Sequence, residues 1–337
     1  MFSSFSSVIK YIFLLGIGGL FLYLAFRGQD MGKLVSDLVN ADYKWVALSA
    51  LACLLSHVFR AIRWGMLIKP LGHQPQFRNT FSAVMLGYLA NLALPRLGEV
   101  SKCAALSKAE KIPADQLIGT MLVERIFDFL MLLLVTALTL FVEFDQIAAF
   151  TYRIASEQYS TTSRNLPAIG IAMLLAFIVV TAAWYLLKNG KVSMPAKFVV
   201  FWYGVRNGLL SVKTIESKST FLFHTLMIWG LYLLSTYLCF YGLDATSELG
   251  FGAALATLFF GSIGMTIPVQ GGIGTYHFMV AQGLTAYAIN RTDGLAYATI
   301  IHSSQTLVIL IIGSICLFLL MLPPKKGNHE KVRASEA

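Results

Sequence analysis

The chain has 337 residues, of which 57% are hydrophobic and only 13% are charged, with a mean hydropathy of +0.69. This charged share is about half that of an average soluble protein, which is too little to cover the surface of a soluble globule. A soluble enzyme or nucleic-acid-binding domain is therefore all but excluded, although 26 Lys and Arg against 17 Asp and Glu give a charge of +9. In a membrane protein the side on which these charges lie matters more than their sum.

Six stretches are long and apolar enough to cross a hydrocarbon core of roughly 30 Å, which takes about 20 helical residues. They lie near Val8–Phe26, Trp45–Ile68, Leu117–Val142, Leu166–Leu187, Phe221–Leu243 and Thr299–Leu322. The sequence thus predicts an all-α, polytopic integral membrane protein. No small-residue cleavage site follows the first stretch, so we interpret it as an uncleaved span.

Two shorter apolar regions are each interrupted by proline and glycine. Phe81–Leu94 is followed by Pro95 and a short arm, Val100–Leu106; Phe251–Ile267 is followed by Pro268, three glycines and the arm Tyr276–Ile289. Such arms are short for a full crossing, and their junctions leave backbone groups that lipid cannot satisfy. We interpret both regions as re-entrant helical hairpins. Two complete, thin spans are the alternative, and both versions give the same topology.

The charges indicate an orientation with both termini in the cytoplasm. With this topology the cytoplasmic segments hold 14 Lys and Arg, the outer segments 6 and the membrane regions 6. The segment Lys188–Lys218 is strongly basic, whereas Glu143–Asn165 is predicted to be a polar outer loop. The predicted location is the cytoplasmic (inner) membrane, with residues 323–337 as a disordered cytoplasmic tail.

The order of elements predicts an inverted repeat within a single transmembrane domain, residues 1–322. Each half, about 8–142 and 166–322, has the order span, span, hairpin, span. Because each half crosses the membrane three times, the second half is inverted relative to the first. Within the hairpins, Gly87 precedes Pro95 by eight residues and Gly261 precedes Pro268 by seven. Inverted repeats with broken helices are typical of transporters whose site lies between the repeats near mid-membrane.

Seven of the charged residues in the predicted membrane segments stand out, since each such residue costs at least about 2.5–3.5 kcal/mol there. They fall in the cytoplasmic half and are Arg60, Arg63, Arg96, Glu99, Glu124, Arg125 and Asp128. They could form an ion-pair lattice that braces the helices, which suits the residues of the third span. They could instead bind a phosphate-bearing headgroup, since guanidinium binds phosphate through two parallel hydrogen bonds. Arg63 could also extend to the inner interface.

The second hairpin offers uncharged groups for a ligand. Gly271, Gly272 and Gly274 permit positive φ and a close backbone approach, so that exposed amides could hold an anion. Gln270, Tyr276 and His277 add polar side chains. A histidine in this place is also compatible with a purely structural hydrogen bond.

Neither a catalytic centre nor a metal or cofactor site is predicted. The sequence has no Walker A, H-E-x-x-H or G-x-S-x-G motif. Its four cysteines are widely spaced in or beside apolar stretches, which favours buried thiols over disulfides or zinc ligands.

Several of these residues occur in motifs that resemble a known family. Arg60-Ala61-Ile62-Arg63-Trp64, Asn91 to Glu99 (NLALPRLGE), Glu124-Arg125-Ile126-Phe127-Asp128, and Pro268 with Gly271-Gly272-Ile273-Gly274 resemble the lysylphosphatidylglycerol synthase transmembrane region. This region is the flippase-like membrane module of the multiple peptide resistance factor, and the resemblance extends from about Tyr43 to Leu322. It implies a stand-alone member without the synthase domain, and it does not imply lysyl transfer. It also adds Asn91 to the candidate substrate-binding residues. Where many members carry Glu after the glycines, this chain has His277.

The sequence leads to the hypothesis of a non-enzymatic, flippase-like transporter. Its substrate would be a membrane lipid or lipid-linked molecule with an anionic headgroup, bound by the charged residues and the hairpins. The alternatives are a membrane-embedded enzyme, or an accessory subunit of a separate lipid-modifying enzyme, in the synthesis of lipid-linked sugars or aminoacyl lipids. The sequence does not define the oligomeric state.

Overall fold

The computed structural model describes residues 15–152 and 210–321, together with Tyr203 and Arg206. All regular structure in this part of the chain is helical. The predicted span Leu166–Leu187, the start of the first span, most of Lys188–Lys218 and the tail lie outside the described residues.

Eleven helices occur within residues 15–152 and 218–321, and short 3-10 turns occur between some of them. They are α1 (Leu15–Phe26), α2 (Met31–Asn40), α3 (Tyr43–Ile68), α4 (Phe77–Ala93), α5 (Leu97–Glu110), α6 (Ala114–Val142), α7 (144–152), α8 (Lys218–Phe240), α9 (Phe251–Thr266), α10 (Thr275–Leu284) and α11 (Arg291–Met321).

Four of these helices are long and apolar enough to cross a membrane: α3 extended by a 3-10 turn to Leu71, α6, α8 and α11. They match four of the predicted spans, with ends that differ by a few residues. The largest difference is at α11, which begins at Arg291 instead of Thr299 because Asn290 caps it. The Asn290 side chain accepts a hydrogen bond from the backbone N–H of Asp293 at 3.0 Å, as N-cap residues do.

Two helices were not predicted from the sequence. Residues 144–152 are helical, so the expectation of a polar loop over Glu143–Asn165 is wrong for its described part. The short helix α2 is capped by the Asp30 carboxylate, which accepts a hydrogen bond from the Lys33 N–H at 2.9 Å. Both lie outside the apolar runs that reveal membrane spans.

Helices α3 and α8 form a central antiparallel pair. Near one end the rings of Trp45 and Tyr241 lie 5.0 Å apart, and the Ser49 hydroxyl donates to the Ser235 carbonyl at 2.7 Å. Near the other end the Arg63 guanidinium donates to Thr225 Oγ1 at 3.3 Å. The residue numbers rise along α3 as they fall along α8, so the two helices run in opposite directions.

Each helical hairpin packs against the last long helix of the other half. In the first hairpin (α4, residues 94–96 and α5), Leu89 packs beside Gly313 of α11. In the second hairpin (α9, Ile267–Gly274 and α10), Leu255 accepts a hydrogen bond from Thr139 of α6 at 3.5 Å. The two contacts are therefore equivalent, since each joins a hairpin of one half to the last long helix of the other half.

The two arms of each hairpin approach closely at small residues. A Cβ on Gly87 would lie 3.0 Å from the carbonyl oxygen of Gly98, and one on Gly261 would lie 2.7 Å from the Tyr276 ring. The spacing of these glycines from the prolines thus marks where the arms touch. At the first break, the Asn91 side chain accepts a hydrogen bond from the Gly98 N–H at 2.7 Å, which satisfies a helix-start donor.

The breaks of the two hairpins meet each other. The Arg96 guanidinium donates to the Thr266 carbonyl at the end of α9, at 3.4 Å. Leu92 at the end of α4 lies against Gly271, where a Cβ would come within 2.7 Å of Leu92 Cδ2. The ends of the two hairpins are therefore neighbours.

Candidate functional site

Seven charged side chains from α3, α5 and α6 come together in one charge cluster. Its members are Arg60, Arg63, Glu99, Lys102, Glu124, Arg125 and Asp128. Arg60, Arg63, Lys102 and Glu124 are buried. Ion pairs in such surroundings need several partners each, because desolvation of the charges is costly.

Asp128 is the central acceptor of the charge cluster. Its Oδ2 accepts from Arg60 at 2.6 Å and lies 3.0 Å from Arg125 Nη2, while its Oδ1 accepts from Arg63 at 2.8 Å. The spacing of three residues between Arg60 and Arg63 places both guanidiniums on the same side of α3, as helical geometry requires. One carboxylate therefore holds three arginines.

Glu124 is the second acceptor and is fully buried. Its Oε2 accepts a hydrogen bond from the Lys102 ammonium, and its Oε1 lies 3.8 Å from Arg63. The Lys102 ammonium also lies 4.0 Å from the centre of the Trp64 ring, a cation–π contact that stabilises a desolvated cation. Trp64 is fixed in turn by a hydrogen bond to Thr120 at 3.0 Å.

A small cavity of about 50 Å³ borders the charge cluster between the first hairpin, α3 and α6. Basic side chains of three helices line it: Arg60, Lys102 and Arg125. Glu99, Asn91 and Tyr88 add polar groups to its wall. The Arg125 side chain is 46% exposed, whereas that of Arg63 is fully buried. Arg125 is therefore the accessible cation of the site.

Aromatic side chains border the charge cluster at Arg60. Tyr232 of α8 accepts a hydrogen bond from Arg60 at 3.3 Å, and its hydroxyl lies 3.5 Å from that of Tyr88. The Tyr88 ring lies 4.3 Å from the ring of His57. Both halves of the chain thus contribute to the surroundings of Arg60.

The structure brings most of the predicted charged residues together but leaves Arg96 out. Arg96 has a left-handed backbone, with φ of 62°, at the start of α5 and is exposed. Its side chain extends to α9 instead of toward Asp128. Arg96 therefore has no contact with the charge cluster among the described residues, and its role in substrate binding stays a prediction. Arg63 is buried in the charge cluster and does not extend to the membrane interface.

Lys102 is a member of the charge cluster that the sequence analysis did not identify, and it pairs with Glu124. It lies in the apolar arm of the first hairpin, where an ionisable residue is as costly as in any other membrane segment. Lys102 also follows Glu99, a predicted site residue, by three positions, so the two lie on the same face of α5. The same rule that identified the arginines could have identified Lys102.

The polar residues of the second hairpin form a separate group. His302 lies 2.8 Å from the Gly271 carbonyl through Nε2, and its ring is 4.8 Å from that of His277 and 5.3 Å from that of Tyr276. The Gly274 N–H donates to His277 Nδ1 at 3.4 Å. Gln270 lies in the 3-10 turn between the arms. The described contacts of these residues do not include the charge cluster.

The glycines of the second hairpin adopt the predicted conformation. Gly271, Gly272 and Gly274 have φ of 55°, 75° and 86°. At Gly274 a Cβ would also lie 2.4 Å from the Gly18 carbonyl oxygen of α1. This position is therefore restricted both by the backbone conformation and by the space available.

We expect Gly274→Val to reduce the yield of folded protein strongly, because a β-branched residue is strained at positive φ. The matched control is Gly19→Ala, since a Cβ at Gly19 has nothing within 4 Å. Both are measured by size-exclusion chromatography in detergent. Equal yields would show that the break tolerates an ordinary side chain.

The helices and buried charges define a multi-pass α-helical membrane protein. The family model of the lysylphosphatidylglycerol synthase transmembrane region matches residues 11–313. The chain belongs to this family.

Two curated proteins are similar to parts of the chain. A UPF0104 membrane protein of Methanocaldococcus jannaschii is 32% identical over 124 residues, which are 36% of this chain and 34% of the relative. Glycosyltransferase AglD of Haloferax volcanii is 28% identical over 102 residues, which are 30% of this chain and 16% of that protein. The alignments thus cover about a third and about a sixth of these relatives. No solved structure matches the chain significantly.

Proposed function

We propose that this protein is a flippase-like transporter that moves a lipid or lipid-linked molecule with an anionic headgroup between membrane leaflets. The observation that carries the proposal is the cavity lined by Arg60, Lys102 and Arg125. Guanidinium and ammonium groups are the usual protein ligands of phosphate. The headgroup binds at this wall while its acyl chains stay in the bilayer.

The surface of α6 suits a lipid whose chains remain outside the protein. Arg125 lies on this helix, and the neighbouring side chains Ile126, Phe129 and Leu133 are exposed. In a bilayer these apolar side chains face lipid. A headgroup at Arg125 can therefore keep its hydrocarbon chains beside α6.

The proposed architecture has six spans in an inverted repeat, with two re-entrant hairpins. Three described features support it: α3 and α8 are antiparallel, the two hairpins pack on α11 and α6 in a reciprocal way, and their breaks meet. Hairpins that enter from opposite sides meet at their tips only when both stop near mid-membrane. Two complete spans would place the tips at opposite surfaces.

We place the protein in the cytoplasmic (inner) membrane, with both termini in the cytoplasm. The test uses single cysteines in a cysteine-free background and an impermeant thiol reagent on intact cells. A cysteine at residue 207 should react only after the cells are opened, whereas one at position 248, in the outer loop, should react in intact cells. Labelling of position 207 from outside would contradict the orientation.

The alternative is a membrane-embedded enzyme, or a subunit that works with a separate lipid-modifying enzyme. The partial similarity to a protein named as a glycosyltransferase favours this candidate. The transporter and the enzyme differ in what happens to the lipid. A transporter changes the leaflet in which the lipid resides, whereas an enzyme changes its mass.

The test is made with purified protein in liposomes that contain a fluorescently labelled anionic phospholipid. We expect the label to cross to the other leaflet, measured by its accessibility to a membrane-impermeant reductant, while mass spectrometry finds the lipid unchanged. Protein-free liposomes and liposomes with heat-denatured protein serve as controls. Labelled lipid that stays in its leaflet would contradict the transporter, and a changed mass in the presence of candidate donor substrates would favour the enzyme.

A further inference from the structure

The charge cluster is not electrically balanced within the described part of the chain. It has four basic side chains, Arg60, Arg63, Lys102 and Arg125, and three carboxylates, those of Glu99, Glu124 and Asp128. Its formal charge is therefore +1. A net charge held in hydrocarbon is costly, and a ligand that carries one negative charge would neutralise it.

The carboxylates of the charge cluster do not share the cations evenly. Asp128 and Glu124 contact all four basic groups, but Glu99 has one contact with Arg125 at 4.0 Å. The Glu99 Oε2 atom is buried and has no hydrogen-bond donor among the described residues. Because Glu99 also lines the cavity, this oxygen is an acceptor available to a ligand.

We infer that the headgroup is a phosphodiester with a net charge of −1 and a neighbouring hydroxyl group, as in a glycerol or sugar phosphodiester. This inference rests on the proposed function and defines its substrate class. The phosphate binds to Arg125 and Lys102, and the hydroxyl donates a hydrogen bond to Glu99. Buried polar groups need such partners, because an unpaired acceptor keeps its full desolvation cost.

Other headgroups leave a charge in the site. With a zwitterionic ethanolamine or choline headgroup bound, the charge cluster and the lipid together keep a net charge of +1. With an aminoacylated phosphatidylglycerol of net positive charge, the net charge rises to +2. A phosphomonoester such as phosphatidate carries about −1.5 to −2 at neutral pH and leaves a negative charge. Electrostatic complementarity thus selects the phosphodiester by disfavouring the others.

The test compares the binding and movement of four lipids: phosphatidylglycerol, phosphatidylinositol, phosphatidylethanolamine and phosphatidate. Binding is measured by native mass spectrometry of the detergent-purified protein, and movement is measured in liposomes. We expect the two hydroxylated diesters to be preferred by about tenfold, which corresponds to 1.4 kcal/mol. A preference for phosphatidylglycerol alone would show that the site selects the hydroxyls of glycerol, and a preference for phosphatidylinositol alone would show that it selects those of a ring polyol.

Glu99→Gln provides the decisive variant, because it raises the formal charge of the cluster to +2. The preference should then shift from phosphatidylglycerol toward phosphatidate, which a merely structural role of Glu99 would not cause. Glu248→Gln is the control, since Glu248 lies exposed in the loop before α9.

Equal binding of all four lipids, or an unchanged preference in Glu99→Gln, would overturn the inference. Movement of anionic lipids without selectivity would overturn the inference about the headgroup, but it would agree with the proposed transporter function. Selective binding without movement would support the headgroup class and contradict the transporter.

Discussion

Replacement of Asp128 by asparagine should destabilise the protein more than any other single change in the charge cluster. The neutral amide leaves Arg60, Arg63 and Arg125 without their shared carboxylate. Breaking a buried pair by removing one partner costs about 3–5 kcal/mol, because the remaining charges stay desolvated. We expect a large fall in the melting temperature of the protein in detergent and in its yield.

Glu248→Gln is the matched control for this measurement, since it removes one carboxylate at an exposed loop position. Its melting temperature should equal that of the wild type. If Asp128→Asn also melted like the wild type, the three arginines would not depend on Asp128, and the charge cluster would not act as a brace.

Replacement of Arg125 by glutamine should lower the rate of transport about tenfold or more without unfolding the protein. The Arg125 side chain is 46% exposed, so water can solvate the groups that it leaves, and Asp128 keeps Arg60 and Arg63. A hydrogen bond to a charged group contributes about 1.5–3 kcal/mol, which corresponds to a rate about tenfold or more lower. Melting temperature and lipid movement are measured on the same preparation.

Two further variants distinguish charge from geometry at this position. Arg125→Lys should restore part of the activity, because lysine keeps the charge but not the two-pronged hydrogen bonding of guanidinium. Arg78→Gln removes an exposed arginine near the start of α4 and should leave transport unchanged. An active Arg125→Gln protein would remove this residue from the site, and an unfolded one would assign it to the brace.

The hairpins could be predicted because their breaks are encoded locally. Pro95 and Pro268 cannot continue a helix, and Gly271, Gly272 and Gly274 supply the positive φ that the second break requires. The predicted ends of the arms agree less well with the structure, because helix caps and single turns determine where a helix ends. The contact between Arg96 and Thr266 joins residues 170 positions apart, and no local pattern encodes it.

The charge cluster could be predicted in large part because ionisable residues are rare in apolar segments. Arg60, Arg63 and the charged residues of α6 were identified on this ground. Arg96 lies apart from the charge cluster, because it starts α5 with a left-handed backbone and its side chain contacts the second hairpin. Tyr88 and Tyr232 were not identified, since uncharged tyrosines are common in membrane helices and these two meet only through tertiary packing.

The central claim is that a lipid headgroup enters the cavity between the first hairpin, α3 and α6. The most direct measurement is photo-crosslinking with an anionic phospholipid that carries a photoreactive group on its headgroup. Single cysteines at positions 121 and 133, each reacted with a cleavable trap, report where the headgroup attaches. Met121 lines the cavity, and Leu133 is exposed on the same helix. The account predicts headgroup attachment near position 121 and little at position 133, and attachment that is equal at both, or absent from position 121, would contradict it.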